Sequence, residues 1–383
     1  MKNKNKKSAE IKIGAFFYNF YNMQGLYVHI PFCRQKCFYC DFFSVGYNEH
    51  TASQYAEALS IHCRRYKNEK INTAYIGGGT PSVLSEKQIS KLLDSINDNF
   101  DTSSLKEFTF ELNPESTTEA KLKILKKAGV NRLSMGLQSV NNEMLKKIGR
   151  VHDFSMFERA YKAALNAGFD NFNLDLIYGL PQQSIADWEN NLNKAVRFGC
   201  SHISLYPLSI EEDTPFFNSG VCVNEDLQRE MYETAVRILA DNGFDHYEIS
   251  NWAKPGSQSV HNGNYWRNFK YIALGAGAAG YENDFRYLNI VNIEKYMELT
   301  AKGMSVKQED DYIDEETRES ETIMLGLRLL DEGVNINDFK KESIKSALQE
   351  LLNEHKLINE DGRIKLPKDM VYVSNSIMSR FMK

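Results

Sequence analysis

The chain has no excess of positive charge, no long apolar run and too few well-placed cysteines for a disulfide framework. A formal net charge of −5 over 383 residues leaves no basic field of the kind that draws proteins onto nucleic acid or an anionic membrane. Nucleic acid is therefore not expected as a partner; a small molecule or another protein is. No segment offers the roughly 20 consecutive apolar residues that cross a bilayer. The start, MKNKNKKSAEIKIGAFFYNFYNMQ, has the basic head of a secretion signal, but Lys12, Asn19 and Asn22 interrupt the apolar stretch behind that head and no small-residue cleavage site appears. A cytoplasmic protein is expected. Residues 1–24 read as a disordered N-terminal extension, with Met23 as an alternative start. Of the six cysteines, Cys63, Cys200 and Cys222 are scattered, as ordinary buried thiols are.

From Leu26 onward, short apolar runs alternate with amphipathic stretches. The runs are LYVHI (26–30), TAYIG (73–77), EFTFEL (107–112), RLSMGL (132–137), NFNLDLIYG (171–179) and HISLYPL (202–208). Helical periodicity covers 52–66, 86–98, 118–128, 141–148, 154–167 and 184–198, with Gly129, Gly168 and Gly199 as C-terminal stops. Six β-α repeats imply an α/β fold with parallel strands and right-handed crossovers, as an open sheet or a whole or partial barrel. GGGTP, ELNPE, GLQS and LDLIYGLP gather just past the strands' C-terminal ends, where both architectures place their active sites. The rhythm changes after about residue 209. A core over 25–290 and a small, mainly helical C-terminal domain over 291–383 are expected, the latter with two helices about Gly333. That domain is rich in Asp and Glu without a basic face, so DNA recognition is not expected of it.

Cys33, Cys37 and Cys40 are spaced C-x3-C-x2-C. Three thiolates from one short loop can hold three irons of a cubane and leave the fourth open to a small molecule. Structural zinc would need a second ligand pair, and His29, on a strand, and His50, in a polar loop, are poor substitutes. Gly77, Gly78 and Gly79 follow a strand directly, where missing Cβ atoms let backbone approach a ligand. The run lacks the Lys-Ser/Thr of a nucleoside-triphosphate loop and the G-x-G-x-x-G of a dinucleotide site. Glu111, Gln138 and Asp175 stand near strand ends, able to accept from hydroxyls or an ammonium group, and Arg150 can pair with a carboxylate. His261 belongs to HNGNYW. A histidine can ligate haem iron while Tyr265 and Trp266 pack on a porphyrin face, although a lone histidine is more often an ordinary packed residue.

With Tyr39 before Cys40, the cysteine motif resembles the radical S-adenosylmethionine (SAM) superfamily. YVHIPFC, GGGTP, ELNPE, GLQS, IGR-H and LDLIYGLP then occur in the order of the branch that holds oxygen-independent coproporphyrinogen III oxidases and related haem chaperones, over about residues 25–380. The resemblance implies a partial (β/α)6 TIM-type barrel and a 4Fe-4S cluster on Cys33, Cys37 and Cys40. It implies a SAM site of Tyr27, Tyr39, Gly78, Gly79, Thr80, Glu111, Gln138, Arg150, Asp175 and Ser209. In this superfamily an electron from the cluster cleaves SAM to a 5'-deoxyadenosyl radical. H-N-x-x-Y-W resembles the signature associated with haem binding, which assigns His261, Asn262, Tyr265 and Trp266 to haem as cargo. In the oxidase the third cysteine is followed by x-Cys and a long arm precedes the first strand; here Asp41 and Phe42 come after Cys40. The chaperone reading is therefore favoured, with the oxidase, a radical SAM decarboxylase of haem biosynthesis, as the alternative. It implies an acceptor haemoprotein, respiratory and membrane-associated, and an electron donor; a homodimer is left open.

Overall fold

The computed structural model describes residues 23–382, so most of the expected N-terminal extension lies outside the described residues. Six parallel strands form its centre: β1 (Gly25–Ile30), β2 (Thr73–Gly78), β3 (Glu107–Leu112), β4 (Arg132–Gln138), β5 (Phe172–Tyr178) and β6 (His202–Pro207). Each pairs with the next in sequence. Between them run α1 (Glu49–Cys63), α2 (Glu86–Asn99), α3 (Glu119–Lys127), α4 (Asn142–Lys147), α5 (Phe154–Asn166) and α6 (Ile185–Arg197).

Local chemistry sets these boundaries. Asn48, Thr118, Asn141, Asp153 and Ser184 cap their helices with side-chain oxygens that accept otherwise unpaired backbone N–H groups. Gly129, Gly168 and Gly199 take left-handed φ values of +94°, +86° and +74° just past α3, α5 and α6, which ends each helix. His50, expected in a polar loop, instead lies in the first turn of α1.

The strands divide their side chains by alternation. Phe108, Phe110 and Leu112 of β3, Leu133, Met135 and Leu137 of β4, and Phe172, Leu174 and Leu176 of β5 join the main apolar core. Each such burial contributes about 1.5–3 kcal/mol. The intervening residues, Glu107, Thr109, Glu111, Arg132, Ser134, Asn173 and Asp175, form the other, polar face. Parallel sheets are usually apolar on both faces, so this polar face marks where a ligand site can be built.

The sheet extends beyond β6 and β1. Strands β7 (Asp245–Glu248) and β8 (Asn251–Ala253) add antiparallel at one side. At the other, β9 (Tyr271–Leu274) runs parallel to β1 and is followed by antiparallel β10 (Ala279–Glu282), β11 (Phe285–Asn289) and β12 (Lys307–Tyr312). The order is β7-β8-β6-β5-β4-β3-β2-β1-β9-β10-β11-β12. The end strands do not pair, so the barrel is partial.

Helix α7 (Glu225–Asp241) packs beneath the sheet, and α8 (Val260–Trp266) carries HNGNYW. Helix α9 (Ile293–Ala301) packs on α1 through Tyr296, whose hydroxyl bonds His62 Nδ1 at 2.9 Å. The expected boundary at 290/291 thus falls between two paired strands, whereas a second apolar cluster begins at Ile323 and includes Leu348, Leu351 and Phe381. It is built from α10 (Glu315–Gly326), α11 (Glu342–Asn353) and a three-stranded sheet. Among the described residues no helix is long and apolar enough to cross a membrane. Cys63 and Cys200 are buried as expected, but Cys222 is exposed, because it lies in the irregular stretch before α7.

Candidate functional site: two adjoining cavities

The loop after β1 brings the three clustered cysteines to the wall of a 410 Å³ cavity. Its shape is fixed by backbone: the Phe32–Cys33 pair runs beside Val45–Gly46, Cys40 N–H donates to Cys37 O at 3.2 Å, and Phe38 N–H donates to Ile148 O at 3.0 Å. Thr80 Oγ1 lies 3.5 Å from Cys33 Sγ and Arg150 Nη1 lies 3.6 Å from Cys37 Sγ. Both groups are donors aimed at those sulfurs. Burial pushes the Cys40 thiol up to about 11, so iron would have to displace its proton. Among the described residues the thiols and neighbouring side chains do not converge as a single-ion site. Among the described residues three thiols and no imidazole line this cavity, a donor set that fits a cluster with one open iron better than four-ligand structural zinc.

Around this cavity stand Tyr39, Gly78, Gly79 and Thr80, then Glu111, Gln138, Arg150, Asp175 and Ser209. Gly79 is held by a bond from its N–H to Ile30 O, and a Cβ there would lie 2.8 Å from Phe32 O. Gly78 adopts φ +111° against the His29 ring. Gln138 adopts φ +62° where β4 shifts register against β5, a left-handed conformation rare for a non-glycine residue. Arg150 Nη2 donates to Asn113 Oδ1 at 2.7 Å and to Gly136 O at 3.2 Å. Ser209 sits at the exposed rim, its hydroxyl on Glu211.

Glu111 accepts from Tyr75 Oη at 2.5 Å and from Gly78 N–H at 3.2 Å. Burial nevertheless raises its carboxyl to about 7, against those two bonds and with help from nearby Asp175. Asp175, bonded by Ser134 and Asn173, is also raised, chiefly by burial. The wall therefore holds two carboxyl groups that resist ionising in the absence of a cationic or hydroxyl-bearing ligand.

A second cavity, of 690 Å³, shares Phe42, Gly78 and Glu111 with the first. Aromatic rings dominate it: Tyr27, Phe43, Tyr265, Trp266 and Tyr271, with Met324 and Leu325 contributed by α10. Tyr27 thus faces this space rather than the thiol-lined one, its hydroxyl bonded to His29 Nδ1 at 2.9 Å. At the mouth Arg286 donates to Glu321 at 2.6 Å and 2.8 Å.

His261 is among neither set of lining residues. It is 1 % exposed, with Nδ1 2.8 Å from Thr73 Oγ1 and Nε2 2.7 Å from Tyr265 Oη, and its ring stacks on Tyr75 at 5.3 Å. Burial lowers it to about 3, so the ring is neutral. Both nitrogens are engaged, and neither is free for an axial bond in this conformation. Asn262, expected with the haem group, lines the thiol-lined cavity instead. Helix α8 is anchored by buried Glu107, whose carboxylate accepts from Ser259 Oγ, Val260 N–H and His261 N–H.

Sequence reasoning overlooked Tyr75, Arg132, Ser134 and Asn113. Asn113 lay within ELNPE, already singled out; the others were signalled only by polar residues alternating with the apolar ones of their strands.

A sequence profile of the radical SAM superfamily matches residues 27–195. The chain is 36 % identical to the "Heme chaperone HemW" of Lactococcus lactis over 368 residues, covering 93 % of this chain and 96 % of the relative. It is 36 % identical to the Bacillus subtilis protein of that name, covering 94 % and 99 %, and 38 % identical to the Escherichia coli one, covering 67 % and 69 %. Among solved structures, coproporphyrinogen III oxidase (HemN) from Escherichia coli superposes with TM-score 0.80 at 19 % identity, covering 94 % of this chain and 90 % of that one; the likeness concerns the fold.

Proposed function

The chain belongs to the HemW family of the radical SAM superfamily, and from that premise we propose that it is a haem chaperone, which binds haem beside a SAM site and passes it to an acceptor haemoprotein. The superfamily implies a 4Fe-4S cluster and SAM. Bound through three cysteines, such a cluster would supply electrons and one iron open to a small molecule.

Cys33, Cys37 and Cys40 are the proposed ligands, with Thr80 and Arg150 steadying two of the sulfurs. Arg150, aligned by Asn113 and Gly136, pairs with the carboxylate of SAM. Glu111 and Asp175 accept from its ammonium or ribose hydroxyls. Tyr39, Gly78, Gly79, Thr80, Gln138 and Ser209 line the rest, and Tyr27 closes the side toward haem. Haem lies in the aromatic cavity against Tyr265 and Trp266. His261 becomes an axial ligand only if the Tyr265 hydroxyl releases Nε2, and Asn262 acts from the SAM side. A cytoplasmic location, a respiratory and membrane-associated acceptor, an electron donor and a homodimer complete the proposal, with no residue assigned to them.

The observation that carries this reading is the shared wall: a thiol-lined cavity and an aromatic cavity meet at Phe42, Gly78 and Glu111. The test is anaerobic cluster reconstitution, haem titration, and mixing of the loaded protein with an apo-haemoprotein. Haem should leave for the acceptor. Sustained decarboxylation of coproporphyrinogen III with SAM would instead make the protein an oxidase.

A further inference from the structure

We propose that Arg132 is a carboxylate-binding residue on the floor of the thiol-lined cavity, taking either a haem propionate or the amino-acid carboxylate of SAM. The inference rests on the reading of that cavity as a cofactor site and adds a residue to it.

Arg132 is the first residue of β4, and alternation puts it on the polar face with Ser134 and Gly136, below them and inside the sheet's curve. It is 2 % exposed and lines the cavity. Its Nε is buried without a hydrogen-bond partner among the described residues. The acids around it are engaged elsewhere: Glu111 with Tyr75 and Gly78, Asp175 with Ser134 and Asn173, and Glu107 with Ser259 and α8. Its charge is felt by Glu111, Asp175, His202 and His261, yet no carboxylate forms an ion pair with it among the described residues.

A buried carboxyl can lessen the cost of burial by holding its proton more tightly, as the raised Glu111 carboxyl does. A guanidinium cannot, because it stays charged at any pH a protein survives. An unpaired buried cation is costly, and the remedy missing from the chain is an anion. The planar donor fork matches a carboxylate.

Arg150 does not duplicate this role. It sits beside Cys37 Sγ and on the carbonyl of Gly136, four residues along β4 from Arg132. Haem brings two propionates, so both arginines can be filled when both ligands are present.

The test uses full-length, cluster-reconstituted protein and Arg132→Gln, titrated with haem, with the dimethyl ester of an iron porphyrin, and with SAM. Loss of a charged hydrogen bond should weaken the responsible ligand about tenfold or more. A loss confined to haem and absent with the ester identifies a propionate; a loss confined to SAM identifies its carboxylate. The ligand-free variant should also melt higher than the wild type, since an unpaired buried charge has gone, and Arg132→Lys should recover part of the affinity without the fork. Unchanged affinities for both ligands would overturn the proposal. So would a ligand-free Arg132→Gln that melts lower or fails to fold, since the guanidinium would then be serving the fold. Wild-type protein that binds neither ligand would overturn the functional reading along with it, whereas normal wild-type binding with an unaffected variant overturns only the role of Arg132.

Discussion

Replacing Glu111 with Gln tests the cavity wall through its proton. Burial raises the carboxyl from its ordinary 4.5 to about 7, so the folded protein holds this proton more tightly than the unfolded chain does. Linkage sets the sign: the stability is fully present below about pH 4.5 and is lost as pH rises through about 7. At 1.36 kcal/mol per unit, the loss approaches about 3 kcal/mol. Glutamine carries no charge to titrate. Its oxygen can still accept from Tyr75, while its NH2 group faces the Gly78 N–H, a fixed cost of about 1–3 kcal/mol. The diagnostic is therefore the slope and not the offset. In urea unfolding of cluster-free, reduced protein, the stability of Glu111→Gln relative to wild type should rise by about 2–3 kcal/mol between pH 5 and pH 8.5. A difference that stays flat with pH would refute the claim that this carboxyl is buried and reluctant to ionise.

Gly79→Ala should abolish measurable SAM binding in equilibrium dialysis, because its Cβ would meet Phe32 O at 2.8 Å and Ile30 O at 3.0 Å and backbone cannot step aside as a side chain can; wild-type affinity would contradict this. Cys37→Ala should lose iron and the visible absorbance of the cluster, and stoichiometric zinc in the wild type would count against a cluster altogether. Tyr265→Phe removes the 2.7 Å bond to His261 Nε2, worth about 1 kcal/mol; haem should bind about fivefold tighter if that nitrogen is the axial ligand, and unaltered affinity and spectrum would remove His261 from consideration. Arg328→Ala leaves Glu248, fully buried and paired with Arg328 at 2.5 Å, without its counter-charge, costing about 3–5 kcal/mol. The segment after α10 should then become sensitive to trypsin, and wild-type resistance would show that the ion pair does not hold it.

The parts of the site carried by consecutive residues were legible without coordinates. Cys33 to Cys40 and Gly78 to Thr80 reach one cavity wall because each is a single short run, whose spacing alone brings several thiols or several close backbone approaches together. The six parallel strands were equally plain, since each has an apolar face of period two and each following helix has its cap and stop. Arg132 and Tyr75 were not legible as site residues. They come from different strands, and only the curvature of the sheet brings them to one wall. Strand β12 reads KQEDDY and is exposed throughout, so no hydrophobic pattern announces it; its pairing with β11 extends the sheet past residue 290. The state of His261 was hidden for a different reason. HNGNYW shows a histidine beside two aromatics, but not that Thr73, far away in the chain, takes one nitrogen and Tyr265 the other.

Tyr75 touches Glu111 with its hydroxyl and His261 with its ring, so one rigid side chain is common to the supports of both cavities. A ligand that displaces it on one side changes the work of binding on the other. Such an influence must be mutual: the factor by which SAM strengthens or weakens haem is the factor by which haem strengthens or weakens SAM. The final complex is then indifferent to which ligand arrives first, and the order of arrival shows only in rates.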